Sequence, residues 1–261
     1  MPMLSVRDLN ITFSSQANIV HAVKGISYEL EEGQTLGIVG ESGSGKTVSG
    51  LALMGLLPPT ASVTGEILFQ EEDILQAEKK RLQKLRGSEI ALIFQNPLAA
   101  LNPVFTVANQ MIETICLHHN VTKIEARERA IALLDRVKIT EPHKRIDDYP
   151  HQFSLGMCQR IMIAMTLSMK PKLLIADEPT ASLDVTTQKE ILELMDELKE
   201  EYRMSMIFIS HDLGVVLERC DKVLVMYLGN IVEQGHPKEI FLNPKDDYTK
   251  RLIDAIPKIN A

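Results

Sequence analysis

The most chemically specific run in the chain is Gly40-Glu41-Ser42-Gly43-Ser44-Gly45-Lys46-Thr47, which fits the pattern G-x-x-x-x-G-K-[ST] in full. Phosphate chemistry explains each position. Glycines let the backbone curl so that successive N–H groups point inward at a phosphate. A helix beginning at the end of the run adds the positive end of its dipole. Lys46 supplies a full charge for the β- and γ-phosphates, and the Thr47 hydroxyl can ligate Mg²⁺. The flanks agree: 34–39 (QTLGIV) reads as a short apolar strand and 48–57 as a helix, the context a phosphate loop requires.

A second run, Leu173-Leu174-Ile175-Ala176-Asp177-Glu178, reads as a buried strand ending in two carboxylates. Ligands of open α/β sheets bind beyond the carboxyl ends of the strands. Asp177 is therefore suited to hold Mg²⁺, directly or through water, and Glu178 to polarise an attacking water. An acidic strand end alone is ordinary; the phosphate loop gives it meaning. The seven histidines include the pair His118-His119, yet no set has ligand spacing together with a carboxylate or thiolate, so they carry no nickel site. Cys116, Cys158 and Cys220 lie far apart and form no C-x-x-C pair, which argues against a disulfide scaffold or zinc knuckle and for a reducing compartment.

The elements that must position these residues follow from hydrophobic pattern. Segments 3–13 and 22–30 read as strands by β-branched content and partial alternation, with a polar loop at 14–18. Further strands are expected at 65–70, 89–95 (EIALIFQ), 172–177 and 206–210, and a hairpin pairs 222–227 with 230–233 around Leu228-Gly229. Segment 96–170 changes character: 106–119, 122–137 and 154–169 have helical spacing and strand signals are scarce, which predicts an inserted, mainly helical subdomain. Helix 185–202 is amphipathic, with Ile191, Leu194, Met195 and Leu198 on one side. Apolar strands alternating with helices indicate an α/β fold with a parallel sheet.

Composition bounds the rest. The 261 residues are within reach of one large domain or two small ones, and enough to bury a sizeable core. With Lys plus Arg at 28 and Asp plus Glu at 35, the formal charge is −7, which argues against non-specific nucleic-acid binding. No apolar run approaches the ~18 residues of a membrane span, and the N-terminus lacks a signal-peptide pattern. Docking onto a membrane protein stays open.

Four more features fall in order along the chain. They are Gln95 at a strand end within Gln95-Asn96-Pro97 to Leu101-Asn102-Pro103, Phe153-Ser154-Leu155-Gly156-Met157 before the Asp177 strand, Ala181-Ser182-Leu183-Asp184, and His211 after the strand MIFIS. With the two runs above, they make nearly the whole chain resemble the ATP-binding subunits of ABC transporters. The Gln95 stretch and the ending Asp247-Tyr248-Thr249 to Ala255-Ile256-Pro257 are similar to the oligopeptide, dipeptide and nickel importer group. The resemblance implies a P-loop NTPase fold: a RecA-like parallel core sheet, an N-terminal antiparallel β-subdomain and the helical insertion, all in one domain spanning 1–261. It implies ATP and Mg²⁺ as ligands. Gln95 would sense Mg²⁺ and the attacking water, and Phe13 would stack on adenine. Ser154 and Gly156 would form the signature, Asp184 the dimer-contact loop, and His211 the switch. Two such domains, as a heterodimer or homodimer, would sandwich two ATP molecules and drive two membrane permeases fed by an extracytoplasmic solute-binding protein. The chain would then sit peripherally on the cytoplasmic face of the membrane. Alone, Gln95 reads as surface, His211 as structural, Phe13 as core, and Asp184 as the N-cap of helix 185–202.

The chain departs from the family where the signature usually reads S-G-G: here it is Ser154-Leu155-Gly156. Leu155 favours helix over glycine by about 1 kcal/mol, but it sets a branched side chain where a partner's nucleotide would arrive. The expectation is a weakened composite site. Cys158 stands where arginine is common, with no role assigned. The chain stops soon after Pro257, where many relatives extend, which suggests a shorter metal- or small-solute-type subunit. Two other classes stay open: a soluble ATPase of an enzyme assembly such as a carbon–phosphorus lyase complex, and a nucleotide-binding subunit with low turnover.

Overall fold

The computed structural model describes residues 1–14 and 18–255. Residues 15–17, in the expected polar loop, and 256–261, with Ile256 and Pro257 of the C-terminal motif, lie outside the described residues. In chain order the elements are β1 (Leu4–Ser14), β2 (Ile19–Leu30), β3 (Thr35–Val39), α1 (Lys46–Ala52), β4 (Ala61–Phe69), β5 (Glu72–Asp73), α2 (Lys79–Ser88), β6 (Ile90–Ile93), α3 (Pro97–Ala100), α4 (Val107–His118) and α5 (Lys123–Arg136). There follow α6 (Pro142–Arg145), α7 (Leu155–Leu167), β7 (Leu173–Asp177), α8 (Val185–Tyr202), β8 (Ser205–Ser210), α9 (Leu213–Arg219), β9 (Lys222–Tyr227), β10 (Asn230–Gly235), α10 (Pro237–Leu242) and α11 (Asp247–Asp254). They fall into two compact units: Met1–Leu85 with the chain from Ser205 onward, and Arg86–Met204.

In the first unit, β2, β1, β4 and β5 form an antiparallel sheet in that order. The alternation of β1 is only partial because the buried set changes phase, from Leu4 and Val6 to Leu9 and Ile11. A register shift between Val6 and Leu9, with Asp8 at φ 45°, inserts the extra residue that permits this. A second sheet runs β10, β9, β3, β8. Its strand β3 is buried throughout and pairs in parallel with both β8 and β9. A strand covered on both faces needs a continuous apolar run, which is what TLGIV supplies.

The second unit pairs β6 with β7 in parallel, Ile90 opposite Leu173 and Ile93 opposite Ala176. Between 96 and 170 the described elements are α3 to α7 and a single 3₁₀ turn. Local capping starts these helices. The Thr122 hydroxyl accepts from the Glu125 N–H while the Glu125 carboxylate takes the Thr122 N–H, a reciprocal capping box. Thr106 and Ser154 cap α4 and α7 one way only, their hydroxyls accepting from the Asn109 and Met157 N–H groups. The α8 stripe expected from sequence is buried, Ile191, Leu194, Met195 and Leu198 each at 2 % exposure or less, and each such side chain contributes roughly 1.5–3 kcal/mol.

Candidate functional site

The phosphate loop leaves β3 at Val39 and enters α1 at Lys46. The helix expected at 48–57 begins earlier and ends at Ala52. Its early stop has a local cause. Gly55 adopts φ 59° and donates to Ala52 O, while Leu56 N–H reaches back to Leu51 O at 3.0 Å, and Pro58-Pro59 cannot continue the helix. Two loop glycines are dictated by space. A Cβ on Gly40 (φ 153°) would lie 2.1 Å from Met226 O, and one on Gly45 (φ 99°) 2.5 Å from Ala22 O. Glycine alone lets the loop lie directly on β2 and β9.

Lys46 is only 5 % exposed, and its Nζ donates to Gly40 O at 2.7 Å and Glu41 O at 2.9 Å. The Ser44 hydroxyl is buried without a hydrogen-bond partner, and no side chain caps the start of α1. A buried ammonium cradled by its own loop beside an orphaned hydroxyl fits a polyphosphate ligand. Glu41, Ser42, Gly43 and Thr47 are exposed, so the loop has an open side for that ligand. His211 follows β8. Its neighbour Ser210 pairs with Val39, so the loop and His211 leave the sheet from matched positions on adjacent strands. The Ser210 hydroxyl accepts from Asp212 N–H at 2.9 Å, and Asp212 caps α9, so the turn presenting His211 is fixed at both ends.

The second unit repeats this arrangement. Because Ile93 pairs with Ala176, Gln95 beyond β6 and Glu178 beyond β7 emerge side by side. Gln95 Nε2 donates to Glu178 Oε2 at 2.8 Å. Glu178 has φ 46°, a left-handed conformation that a glutamate adopts only at a cost, and such strain concentrates at functional positions. Asp177, half-buried at the end of β7, offers the hard oxygen ligand that Mg²⁺ prefers.

Elsewhere in this unit, Ser154, Leu155, Gly156, Ser182, Asp184 and Thr187 line a cleft of about 320 Å³. Ser154 Oγ accepts from Met157 N–H, and Asp184 Oδ1 from Thr187 N–H at 3.0 Å. That hydrogen bond holds the Asp184 carboxyl below its ordinary pKa. Both residues therefore cap helices, and both remain exposed. Gly156 is dictated by packing: a Cβ there would meet Thr187 Cγ2 at 2.6 Å. Cys158 is buried, its thiol donating to Pro150 O at 3.4 Å and pushed up in pKa by burial. Phe13 lies half-buried on β1, opposite Val20 and Ala61, next to the residues outside the described set. Sequence reasoning missed what braces the phosphate loop from behind. Gly229 N–H donates to Ser44 O at 3.1 Å, and the Tyr248 hydroxyl accepts from Glu41 N–H at 2.8 Å. The Leu228-Gly229 turn was visible in sequence, but no local signal tells where it docks.

Comparison with known proteins places this geometry. The family model described as ABC transporter matches residues 23–181. The oligopeptide transport ATP-binding protein OppD of Escherichia coli (strain K12) is 48% identical over 99% of this chain and 77% of its own length. The dipeptide transport ATP-binding protein DppD of Haemophilus influenzae is 47% identical over 99% and 78%. Among solved structures, the dimeric post-hydrolysis state of the ATP-binding cassette MJ0796, bound to ADP and Pi, superposes with a TM-score of 0.80 at 25% identity, covering 90% of this chain and 99% of that one. CbiO1 of Clostridium perfringens, part of an ABC transporter complex, gives 0.78 at 33% identity, covering 93% and 91%. By its α/β sheets, its phosphate loop and these relatives, the chain belongs to the ABC transporter family, as an ATP-binding and ATP-hydrolysing cassette that works with Mg²⁺.

Proposed function

We propose that this chain hydrolyses ATP to drive import of peptides through membrane permeases. What supports the transport assignment is the match, along 99% of the chain at 48% identity, to a protein named for oligopeptide transport. Relatives named for transport favour this reading over a soluble enzyme assembly. The whole chain acts as one nucleotide-binding domain, with the helical segment at about 96–170 as its insertion. Its partners are a second ATP-binding cassette, alike or different, two permeases, and indirectly an extracytoplasmic solute-binding protein. Among the described residues no helix is long and apolar enough to cross a membrane. Attachment runs through those permeases, on the cytoplasmic face, as the relatives named for transport suggest.

The residues divide the work. Residues 40–47 wrap the phosphates with backbone N–H groups, and Lys46 turns its ammonium from the Gly40 and Glu41 carbonyls to the β- and γ-phosphates. Thr47, Asp177 and Gln95 are the residues that would hold Mg²⁺, which would offset the negative charge of the phosphate oxygens. Glu178, oriented by the Gln95 amide, aligns the attacking water and accepts its proton. His211 positions the γ-phosphate end, and Phe13 stacks on the base. Ser154, Gly156 and Asp184 face the partner cassette and its nucleotide. Catalysis is mostly placement and charge.

The test uses the full chain with its permeases. ATP hydrolysis should require Mg²⁺, and Glu178→Gln should lower turnover by about 10²–10⁴-fold while nucleotide still binds. Undiminished turnover in that variant removes Glu178 from its role. Co-purification with soluble enzyme subunits and no permease refutes the transport assignment.

A further inference from the structure

Helix α11 and the turn before it are built onto the phosphate loop. Glu233 on β10 accepts the Lys245 and Asp246 N–H groups at 3.0 and 3.1 Å, which pins the approach to the helix. Asp246 caps it by accepting from Tyr248 N–H at 2.8 Å. Tyr248 is then buried to 4 % exposure, its ring stacked on Tyr227 with centroids 4.2 Å apart. Its hydroxyl reaches Glu41 N–H at 2.8 Å. The Glu41 N–H belongs to the same peptide as the Gly40 carbonyl, and Gly40 O and Glu41 O both receive the Lys46 ammonium. An unbroken run of contacts thus leads from α11 to the charge that meets phosphate.

We propose that Tyr248 is a positioning residue for the phosphate loop: by accepting the Glu41 N–H it orients the peptides that hold Lys46, so that α11 sets nucleotide affinity. The inference rests on the reading of 40–47 as the phosphate-binding loop. A hydroxyl suits the task because it supplies one directed acceptor without charge. A carboxylate in its place would compete with phosphate for Lys46.

Tyr248→Phe keeps the stacked ring and removes only the acceptor. Mg²⁺-ADP affinity of the full-length chain is measured by calorimetry at 10 °C, with circular dichroism checking that both proteins are folded. Amide hydrogen exchange is followed in the nucleotide-free protein. The loss of one neutral hydrogen bond predicts a dissociation constant raised about three- to tenfold. Exchange should quicken across residues 40–47 and stay unchanged across β3 and β8. Tyr248→Ala, which also removes the stack, should weaken binding at least as much. If wild-type protein does not bind Mg²⁺-ADP, the phosphate-loop reading itself falls. If wild type binds and Tyr248→Phe binds equally well, the loop reading stands and the positioning role is overturned. Weakened binding with faster exchange throughout β3 and β8 also overturns it, because Tyr248 is then a general strut.

Discussion

Gly40→Ala isolates the close approach between the phosphate loop and β9. An added Cβ would lie 2.1 Å from Met226 O, 2.9 Å from Ser44 Oγ and 3.1 Å from Met226 C. An ordinary C···O contact is about 3.3 Å, so something must give by roughly 1 Å. The Met226 carbonyl belongs to β9, which is paired with β3 on one side and β10 on the other, so the loop yields. Overpacking costs about 1–3 kcal/mol, and φ 153° adds backbone strain of similar order. For a protein of this size each kcal/mol lowers the melting temperature by about 2–4 °C. The functional loss should be comparable, because a displacement of about 1 Å in a positioning element costs on the order of 100-fold in rate, about 2.7 kcal/mol. Gly33→Ala is the matched control: Gly33 also has positive φ, at 75°, but a Cβ there meets nothing within 4 Å. Calorimetry with Mg²⁺-ADP and thermal melts on both variants check the reasoning. Gly33→Ala should lose some stability and no affinity, and Gly40→Ala should lose both. Wild-type affinity in Gly40→Ala would mean that the loop does not depend on resting against β9.

Other perturbations reach the remaining parts. Leu155→Gly should change ATP turnover or nucleotide affinity in the assembled transporter; no change would show that the leucine imposes no burden on the composite site. Gly156→Ala should destabilise the chain by about 1–3 kcal/mol through the Thr187 methyl, and Thr187→Ser should restore the loss in thermal melts. Asp147 receives two hydrogen bonds from Arg127, which hold its carboxyl below the usual range. Because its folded pKa is depressed, its contribution is present at neutral pH and fades as pH falls below the ordinary carboxylate range. The melting difference between wild type and Asp147→Asn should therefore shrink in acid, and it should be small throughout because the pair is exposed.

Much of the fold was legible because local pattern and local structure coincide. Apart from Thr35 at the start of one and Asp177 at the end of the other, TLGIV and LLIAD are apolar, and both strands pair in parallel. The four apolar positions of α8 share a face and are buried together. Elements without such a signal escaped. Helices α2, α10 and α11 were not anticipated: α10 is a short segment of mixed character, and α11, although amphipathic with Tyr248 and Thr249 buried, spans only 8 residues, while their capping residues, His236 and Asp246, act through single backbone hydrogen bonds. The end of α1 was overrun because apolar residues continue to Leu57, and the hydrophobic signal outlasts the helix that Gly55 closes.

The sequence alone singled out the groups proposed to meet phosphate and metal. In 40–47 and 173–178 the spacing along the chain is the chemistry, and a strand followed by a tight turn leaves little freedom in where those groups point. It also carries Leu155 where the resemblance to the family implies a glycine. Tertiary structure alone decided what holds the loop in shape: the Met226 carbonyl against Gly40, the Gly229 N–H on Ser44, and the Tyr248 hydroxyl on Glu41 from 207 residues away. Those partners are chosen by strand order and by how the chain runs from β10 through α10 into α11. Such long-range pairings minimise buried, unsatisfied backbone groups over the whole fold, and no window of sequence contains both of their ends.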